Sequence, residues 1–344
     1  MSRLSSHHAI AERQLAERLF AVAPDVYRIA LPTDFPVGDV NAYLLDGQEP
    51  TLIDSGVAGE RTQACLEQAL GARGRSVREL RRVLLSHAHV DHAGGARAIR
   101  DRSGAEVVLH PRGHERLRDV RADAERSAPW FAAFFARAGF DAPTIARHAE
   151  LSVSFVPYSD PCPVLSGCVG GDRIALGAGR SLRVHESFGH TSNHVAYELE
   201  GAGLLFTGDA LLPHISANPT LEPPAAGDRD KPRPLVLYQE SLERIGRLDV
   251  SVACPGHGRP FTDVAGRAAE LLSHQRQRCQ QVVELLAESG PATVKELSLG
   301  LFGRVRLWEL YLTVSEAQAA VELLEHQGRV RLVREADIDR YALA

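Results

Sequence analysis

Short apolar runs, separated by polar segments with glycine and proline, recur through the first part of the chain. The runs have the length of buried strands, and segments between them have the spacing of amphipathic helices. The predicted strands are residues 26–31, 40–45, 51–53, 83–85 and 106–109, and the predicted helices are residues 60–70, 77–80 and a segment that starts at Ala96. Because strands and helices alternate, we expect an α/β protein built in layers.

A second group of strands follows further along the chain. These strands are predicted over residues 181–186, 195–199, 203–206 and 250–253, with a helix over residues 235–248. Residues 164–178 predict a hairpin that turns at residues 170–172, where two glycines precede an aspartate. At the start of the chain, residues 1–22 predict an amphipathic helix with Leu15, Leu19 and Val22 on its apolar face.

The C-terminal region has a pattern of its own. Helices are predicted over residues 265–288, 293–301 and 314–326, and a strand over residues 330–333. Three helices followed by a β-ribbon resemble a winged-helix module, so we divide the chain into a catalytic domain, residues 1–263, and a small domain, residues 264–344. The third helix carries Glu316, Glu322 and Glu325 but no lysine or arginine, and such a face repels phosphate. We therefore expect this module to pack on the body or to form a homodimer, and not to bind DNA.

The composition of the chain indicates where the protein acts and what it binds. The chain of 344 residues has a net charge of −5, which opposes binding to nucleic acid or to an anionic membrane surface. Its five cysteines show no Cys-x-x-Cys spacing, residues 1–20 are polar and charged, and no apolar run reaches membrane-spanning length. We therefore expect a cytoplasmic protein that acts on a small molecule and contacts neither membrane nor nucleic acid.

The most informative stretch is residues 87–92, with the sequence His-Ala-His-Val-Asp-His, between a predicted strand and a predicted helix. Such junctions are where α/β proteins expose functional groups at the edge of a sheet. Imidazole nitrogens bind zinc and other transition metals, and a carboxylate can join them or hold a second ion. The stretch therefore predicts a metal site that residues further along must complete.

Candidates for the remaining ligands are His190, Asp209 and His257. Each follows a run of apolar or small residues and has a glycine beside it, which lets the backbone turn sharply toward a metal. The chain has fifteen histidines, so an isolated histidine carries little weight. We interpret five isolated ones as surface residues: His7, His8, His148, His274 and His326.

The motifs His-x-His-x-Asp-His, Gly-His-Thr, Thr-Gly-Asp and Pro-Gly-His-Gly, in this order, resemble those of the metallo-β-lactamase superfamily. The resemblance covers roughly residues 25–265 and is more specific for the fold than for the substrate. It implies a four-layer αββα fold, here followed by the small C-terminal winged-helix-like domain.

The resemblance also implies two metal ions per chain, expected to be zinc, with iron or manganese as alternatives. One ion would be held by His87, His89 and His190. The second would be held by Asp91, His92 and His257, and Asp209 would bridge the two. Asp54 would lie behind the ligands and orient a histidine through its other ring nitrogen.

A hydrolytic mechanism follows from this ligand set. Water between two such cations has its pKa lowered toward neutrality, so a metal-bound hydroxide would attack a carbonyl carbon. The cations would stabilise the oxyanion, and Asp91 would act catalytically by moving a proton between nucleophile and leaving group. We expect a small-molecule thioester, as in the glyoxalase II relatives, a lactone or an ester. A β-lactam is less expected, because such antibiotics do not meet their target in the cytoplasm.

Three alternatives stay open on the sequence. A metal-dependent ribonuclease or phosphodiesterase is one, since some family members with a C-terminal appendage cleave RNA, although the acidic balance disfavours it. A mononuclear iron dioxygenase of the persulfide-oxidising type is another, although the full ligand set favours two metals. The third is a non-catalytic regulator acting through the C-terminal module, and the intact metal set argues against it.

Two segments are expected to determine specificity. Residues 112–160 are interpreted as a helical insertion or lid whose aromatic side chains either line the pocket or pack the insertion onto the body. These side chains are Trp130, Phe131, Phe134, Phe135 and Phe140. Residues 213–234 predict a surface loop next to Asp209. It can offer three polar groups to a substrate, from His214, Ser216 and Asn218.

Overall fold

Residues 18–163, 165–225 and 231–344 are described in this computed structural model, and they form two mixed β-sheets and a separate hairpin. The first sheet contains β1 (Leu19–Ala23), β2 (Val26–Leu31), β3 (Val40–Leu45), β4 (Thr51–Ile53), β5 (Arg82–Leu84), β6 (Glu106–Leu109) and β7 (Ser166–Gly167). The second contains β8 (Arg173–Gly177), β9 (Arg180–Glu186), β10 (Val195–Leu199), β11 (Leu204–Gly208) and β12 (Val252–Pro255). The hairpin consists of β13 (Val330–Glu335) and β14 (Ile338–Leu343).

Ten α-helices lie among the described residues, and they interleave with the strands in the α/β manner that the sequence predicts. They are α1 (Glu60–Gly71), α2 (Val90–Ala93), α3 (Ala96–Ser103), α4 (His114–Arg118), α5 (Val120–Arg137), α6 (Ala142–Ser154), α7 (Pro234–Ile245), α8 (Val264–Ser289), α9 (Val294–Phe302) and α10 (Leu307–His326). Thr293 and Glu296 form the predicted capping box of α9. α10 begins earlier than predicted, at Leu307. Across these helices, none is long and apolar enough to cross a membrane.

Strand direction changes within each sheet. The first sheet is antiparallel from β1 to β4 and parallel from β4 to β7. The second has the order β12-β11-β10-β9-β8, in which β11 and β12 are parallel and the other neighbours are antiparallel. The carboxyl ends of parallel neighbours lie at a common edge, so loops that follow these strands meet there.

The two sheets pack face to face, with helices on both outer sides. Alternate residues of β3 show this, because Tyr43 faces the second sheet and Leu44 belongs to the core under α1 and α3. The ring of Tyr43 lies 5.1 Å from that of Phe206 on β11. On the outer side of the second sheet, Leu205 joins a core formed with α7, α8 and the C-terminal helices.

The aromatic residues of the insertion pack largely against the C-terminal helices. Phe134 and Phe135 are buried in the core that contains α8, α9 and α10. The half-buried ring of Phe131 lies 6.0 Å from that of Tyr311 on α10. His148 also belongs here, and its prediction as a surface residue is wrong. Its ring is buried 4.4 Å from that of Phe135, because the apolar face of α6 turns toward this core.

The helix predicted for residues 1–22 is wrong over residues 19–22. Residues 1–17 lie outside the described part of the chain, and Leu19–Ala23 is a strand paired with β2. A spacing of three residues places Leu19 and Val22 on opposite faces of a strand. Leu19 packs on the outer core of the first sheet and Val22 on the core between the sheets, so each apolar residue is used.

The hairpin predicted for residues 164–178 is also wrong. Residue 164 is not described, β7 pairs with β6 in the first sheet, and β8 pairs with β9 in the second. The chain therefore crosses between sheets at the predicted turn. The true hairpin joins β8 and β9 through Ala178 and Gly179, whose φ angles of 49° and 73° suit the tight turns that twist with a hairpin.

Gly189 is expected to tolerate no side chain, and Gly59 provides a matched control. Both have φ near 130°, but a Cβ at Gly189 would lie 2.2 Å from Cβ of Tyr238, whereas a Cβ at Gly59 meets open space. Gly59→Ala should therefore lower the free energy of unfolding by about 1–3 kcal/mol through backbone strain. Gly189→Ala should lose at least about 2 kcal/mol more, because α7 must move. Urea denaturation measures both, and equal losses would contradict the close contact.

Candidate metal centre

The seven side chains predicted to bind metal lie together where the edges of the two sheets meet. Residues 87–92 follow β5 and continue into α2, Asp209 follows β11, and His257 follows β12. His190 lies in the loop between β9 and β10. The parallel pairs β4/β5 and β11/β12 bring these loops to one place. All seven predicted side chains therefore come together without any change of assignment.

Three ring nitrogens converge in a first group. His89 Nδ1 lies 3.0 Å from His87 Nε2 and 3.0 Å from His190 Nε2. The ring planes meet nearly edge to face, at 75° between His87 and His89 and at 85° between His89 and His190. Three imidazoles around one point are a ligand set that leaves a further position open on a tetrahedral ion.

A second group forms beside the first. Asp91 Oδ2 lies 3.3 Å from His257 Nε2 and 3.9 Å from His92 Nε2. Asp209 lies between the groups, with Oδ1 at 3.4 Å from His92 Nε2 and Oδ2 at 3.6 Å from His190 Nε2. Its Oδ2 is also 3.8 Å from His257 Nε2. Asp209 is thus placed to contact cations held by either group.

Asp54 fixes the orientation of two histidines, and the predicted contact to one of them is confirmed. His92 Nδ1 donates a hydrogen bond to Asp54 Oδ2 at 2.8 Å. The Ser86 hydroxyl donates to the same oxygen at 2.9 Å, which leaves its own oxygen to accept from His87 Nδ1 at 3.0 Å. In the neutral form of each ring, Nε2 therefore points into the site as a lone pair.

Backbone carbonyls fix two further rings. His190 Nδ1 donates to the carbonyl of Asn218 at 2.8 Å, and His257 Nδ1 donates to the carbonyl of Asp39 at 3.0 Å. A carbonyl can only accept, so the neutral rings again present Nε2 as a lone pair. This arrangement of outer partners is typical of metal-binding histidines.

The histidines of the site fall into two groups, one with lowered and one with raised pKa values. Burial lowers the pKa of His87, His89 and His190, so these rings are neutral and can donate lone pairs. Burial also acts to lower the pKa of His92 and His257, but the charges of Asp209 and Asp91 outweigh it and raise both values. These two rings therefore carry protons that a cation must displace.

The two carboxylates have lowered pKa values, because nearby histidines outweigh the effect of burial. Burial acts to raise the pKa of Asp91, yet the nearby His92 and His257 lower it to about 2. The pKa of Asp209 is held well below its ordinary value by His92 and His257, against the effect of burial. Both side chains are anions at neutral pH, the form that binds metal.

The residues present fit a metal ion. His92 Nε2 and Asp209 Oδ1 are buried without a hydrogen-bond partner among the described residues. His87 Nε2 and His190 Nε2 both face His89 Nδ1, which has at most one proton to share. Cations satisfy these lone pairs together, and imidazole with carboxylate is a ligand set of transition metals.

Glycine lets the ligand loops approach one another. A Cβ at Gly256 would lie 2.3 Å from Asp209 Oδ1 and 2.6 Å from His92 Cε1. A Cβ at Gly208, where φ is 47°, would lie 2.7 Å from His194 Nε2. The glycines beside Asp209 and His257 thus act as predicted, by keeping space free next to the ligands.

His194 helps to position Asp209, a role that the sequence did not reveal. Its Nε2 accepts from the backbone N–H of Asp209 at 3.0 Å, and its Nδ1 donates to Ser187 Oγ at 2.7 Å. Its ring stacks on that of His87 at 4.8 Å. Beside it, Asn193 Oδ1 accepts from the Ala88 N–H at 2.9 Å. The only signal was a second histidine four residues after His190.

The loop that follows Asp209 supports the site directly. Asn218, predicted as a possible substrate contact, holds His190 through its carbonyl, and its side-chain amide donates to the Leu312 carbonyl at 2.8 Å. The Ser216 hydroxyl contacts the Ala217 carbonyl at 3.3 Å, and His214 is exposed. Their predicted contacts with substrate stay predictions.

Comparisons with known proteins agree with this geometry. The sequence model of the Metallo-beta-lactamase superfamily matches residues 35–257. The chain is 33% identical over 308 residues to the probable metallo-hydrolase YqjP of Bacillus subtilis, covering 89% of this chain and 94% of that protein. It is similar to the crystal structure of the metallo-beta-lactamase family protein TTHA1429 from Thermus thermophilus, with a TM-score of 0.76, 31% identity and coverage of 94% and 100%. It is also 24% identical over 302 residues to an atrochrysone carboxyl ACP thioesterase of Aspergillus fumigatus, covering 83% and 75%.

Asp54→Asn is expected to weaken metal binding by about 10- to 100-fold. The amide nitrogen that replaces one carboxylate oxygen is a donor, so the side chain can no longer accept from the Ser86 N–H, the Ser86 hydroxyl and His92 together. Metal affinity measured by competition with a chromophoric chelator tests this. Asp101→Asn, an exposed aspartate paired with Arg97, is the control and should leave affinity unchanged. Equal affinity in both variants would show that the Asp54 contacts do not govern the ligands.

Metal binding to the metal-free protein is expected to release protons, because His92 and His257 must lose theirs. Their pKa values lie above the ordinary value of about 6.5, so the apparent metal affinity should rise with pH through neutrality and fall on acidification. Titration calorimetry in buffers of different ionisation enthalpy counts the protons. Heats that do not depend on the buffer at neutral pH would contradict the raised pKa values.

Proposed function

This chain belongs to the metallo-beta-lactamase superfamily and is a metal-dependent hydrolase, and we propose that it uses two zinc ions to cleave the carbonyl group of a small-molecule thioester, lactone or ester. One observation carries the proposal: seven histidine and aspartate side chains form overlapping groups, each able to hold a cation, within a single site. The groups are His87, His89 and His190; His87, His92 and Asp209; and Asp91, His92 and His257.

The overlap supports two ions over one. His87 and His92 each occur in two of the groups, and Asp209 presents one oxygen to His92 and the other to His190 and His257. The groups together contain seven side chains, more than the four ligands that a single tetrahedral zinc ion takes. In this proposal His87, His89 and His190 hold the first ion, Asp91, His92 and His257 hold the second, and Asp209 bridges them.

When bound, the two cations would supply Lewis acidity and lower the pKa of a water molecule. The chain's own residues then set the geometry and move the proton. Asp54 and the carbonyls of Asn218 and Asp39 prevent the ligand rings from turning. With a pKa of about 2, Asp91 is an anion that holds an accepted proton only weakly, so it can pass the proton to a leaving group.

A thioester is the substrate class with the most direct support. The relative from Aspergillus fumigatus is named as a thioesterase, and its match spans most of both chains. A thiolate is also a better leaving group than an alkoxide and needs less help from a proton donor, which suits a site where Asp91 is protonated only briefly. We place thioesters first and lactones and esters second.

We propose that the C-terminal helices and hairpin form a winged-helix-like packing element. Carboxylates of α10 that would face a nucleic acid are engaged within the protein: Glu316 pairs with Arg278 at 2.8 Å and Glu322 pairs with Lys231. This face of α10 is therefore packed on the protein and is not free to contact nucleic acid. A small molecule remains the expected substrate. The predicted homodimer can be checked by light scattering.

The metal content of the purified protein tests the proposal first. We expect about two zinc ions per chain, with loss of metal and a fall in thioester hydrolysis of more than about 100-fold in His89→Ala and Asp209→Ala. His274→Ala, an exposed histidine on α8, is the matched control and should keep both. Metal is measured by elemental analysis and turnover by thiol release.

Other outcomes would replace the proposal. About one iron per chain and no hydrolysis would favour a mononuclear iron dioxygenase. Cleavage of RNA at rates above those for thioesters, lactones and esters would favour a nuclease. Metal that stays bound in both ligand variants would contradict the assigned ligands.

A further inference from the structure

A weakly paired arginine lies beside the first group of metal ligands. It is Arg116 on α4, the short helix that opens the insertion. α4 follows Gly113, and a Cβ at Gly113 would lie 3.2 Å from Cγ of Asn193. Asn193 in turn accepts from the N–H of Ala88, the residue between His87 and His89. One helical turn beyond Gly113, Arg116 is therefore held close to the ligand loop.

The guanidinium of Arg116 has unused hydrogen-bonding capacity. Its Nε is buried and has no partner among the described residues. Its nearest described carboxylate oxygen, Asp123 Oδ2, is 3.9 Å from a terminal nitrogen, beyond hydrogen-bond length. Asp123 instead accepts from Arg126 at 3.2 Å. A partly buried guanidinium without a bonded anion costs free energy. Binding of an anion to Arg116 would therefore be favourable.

The residues around Arg116 leave it accessible to a ligand. Glu222 lies nearby, but its Oε2 is taken by the N–H of Ser192 at 2.8 Å. The side chain of Arg116 is 39% exposed, so a small molecule in solution can reach it.

We propose that Arg116 binds a carboxylate group of the substrate, so that the substrate of the hydrolase proposed above is an acidic thioester or ester. The fork of the guanidinium matches a carboxylate through two parallel hydrogen bonds. A single negative charge fits better than a dianionic phosphate, because Asp123 and Glu222 already lie nearby. The inference rests on the proposed function for the reacting group, but the binding of the carboxylate can be tested separately.

Binding of short dicarboxylates to the metal-loaded protein tests the inference. Malonate, succinate, glutarate and adipate are each compared by calorimetry with the monocarboxylate of equal chain length. In wild type, at least one diacid should bind about 10- to 100-fold more tightly than its monoacid, because one carboxylate reaches the metals and the other reaches Arg116. Arg116→Ala should reduce this advantage to less than about threefold. Arg116→Lys, which keeps the charge but loses the fork, should give an intermediate advantage.

Arg118→Ala is the matched control, since Arg118 lies on the same helix, exposed and paired with Glu115 at 2.7 Å. It should keep the wild-type advantage. Thermal melting shows whether each variant is folded, and Arg116→Lys carries the test if Arg116→Ala is not. A diacid advantage that persists in the Arg116 variants, or that is absent from wild type, would overturn the inference. Tighter binding of a phosphate monoester than of every diacid would overturn the choice of a carboxylate.

A kinetic measurement separates this inference from the proposed function. The ratio of kcat/KM for a half-thioester of a dicarboxylic acid to that for a neutral thioester should fall about 10-fold or more in Arg116→Ala and stay constant in Arg118→Ala. If wild type holds two metals and cleaves thioesters but this ratio does not change, only the role of Arg116 fails. If wild type holds metal but cleaves no thioester, lactone or ester, the proposed function fails, and binding of diacids to the metal-loaded protein still reports on Arg116.

Discussion

The buried carboxylate of Asp54 is the contact on which the site most depends. It accepts hydrogen bonds from the Ser86 N–H at 2.7 Å, from the Ser86 hydroxyl at 2.9 Å and from His92 at 2.8 Å. Asp54 has a φ of 59°, a strained value for a residue other than glycine, which the surrounding bonds must offset. A buried carboxylate that loses its hydrogen bonds costs much free energy. The bonds from Ser86 to Asp54 therefore hold the end of β5 against the end of β4. Through Ser86 and His92 the same carboxylate reaches both groups of ligands.

A second set of contacts holds the sheets in register across the site. Asn41 on β3 donates to the carbonyls of Pro255 and Gly258, both at 2.8 Å, and the Tyr43 hydroxyl donates to Pro255 at 2.8 Å. These bonds place His257, which follows β12 of the second sheet, against the ligands that follow β5 of the first sheet. Cations bound by ligands from both sheets would add a further link, so metal binding would be coupled to the packing of one sheet on the other.

Local features explain what the sequence predicted well. Residues 87–92 concentrate three imidazoles and a carboxylate at a strand–helix junction, and glycines mark the approach of Asp209 and His257. The errors concern tertiary contacts. The spacing of Leu19 and Val22 suits a helix and a two-sided strand equally, and only pairing with β2 decides between them. His194 and His148 look like ordinary histidines in sequence, because their partners, Asp209 and Phe135, are distant along the chain. No local pattern shows that β7 and β8 belong to different sheets.

The C-terminal helices gain a structural role from their contacts with the loop after Asp209. The Tyr311 hydroxyl donates to the Leu221 carbonyl at 2.7 Å, and the Leu221 N–H donates to Ser315 Oγ at 3.2 Å. The same loop presents the Asn218 carbonyl to His190 while its side chain bonds to α10. α10 thus holds the segment that orients a predicted metal ligand, and its apolar residues share one core with α7 and α5. Because that core spans the predicted boundary at residue 263, loosening the C-terminal helices would disturb His190 before it disturbed the ligands that follow β5.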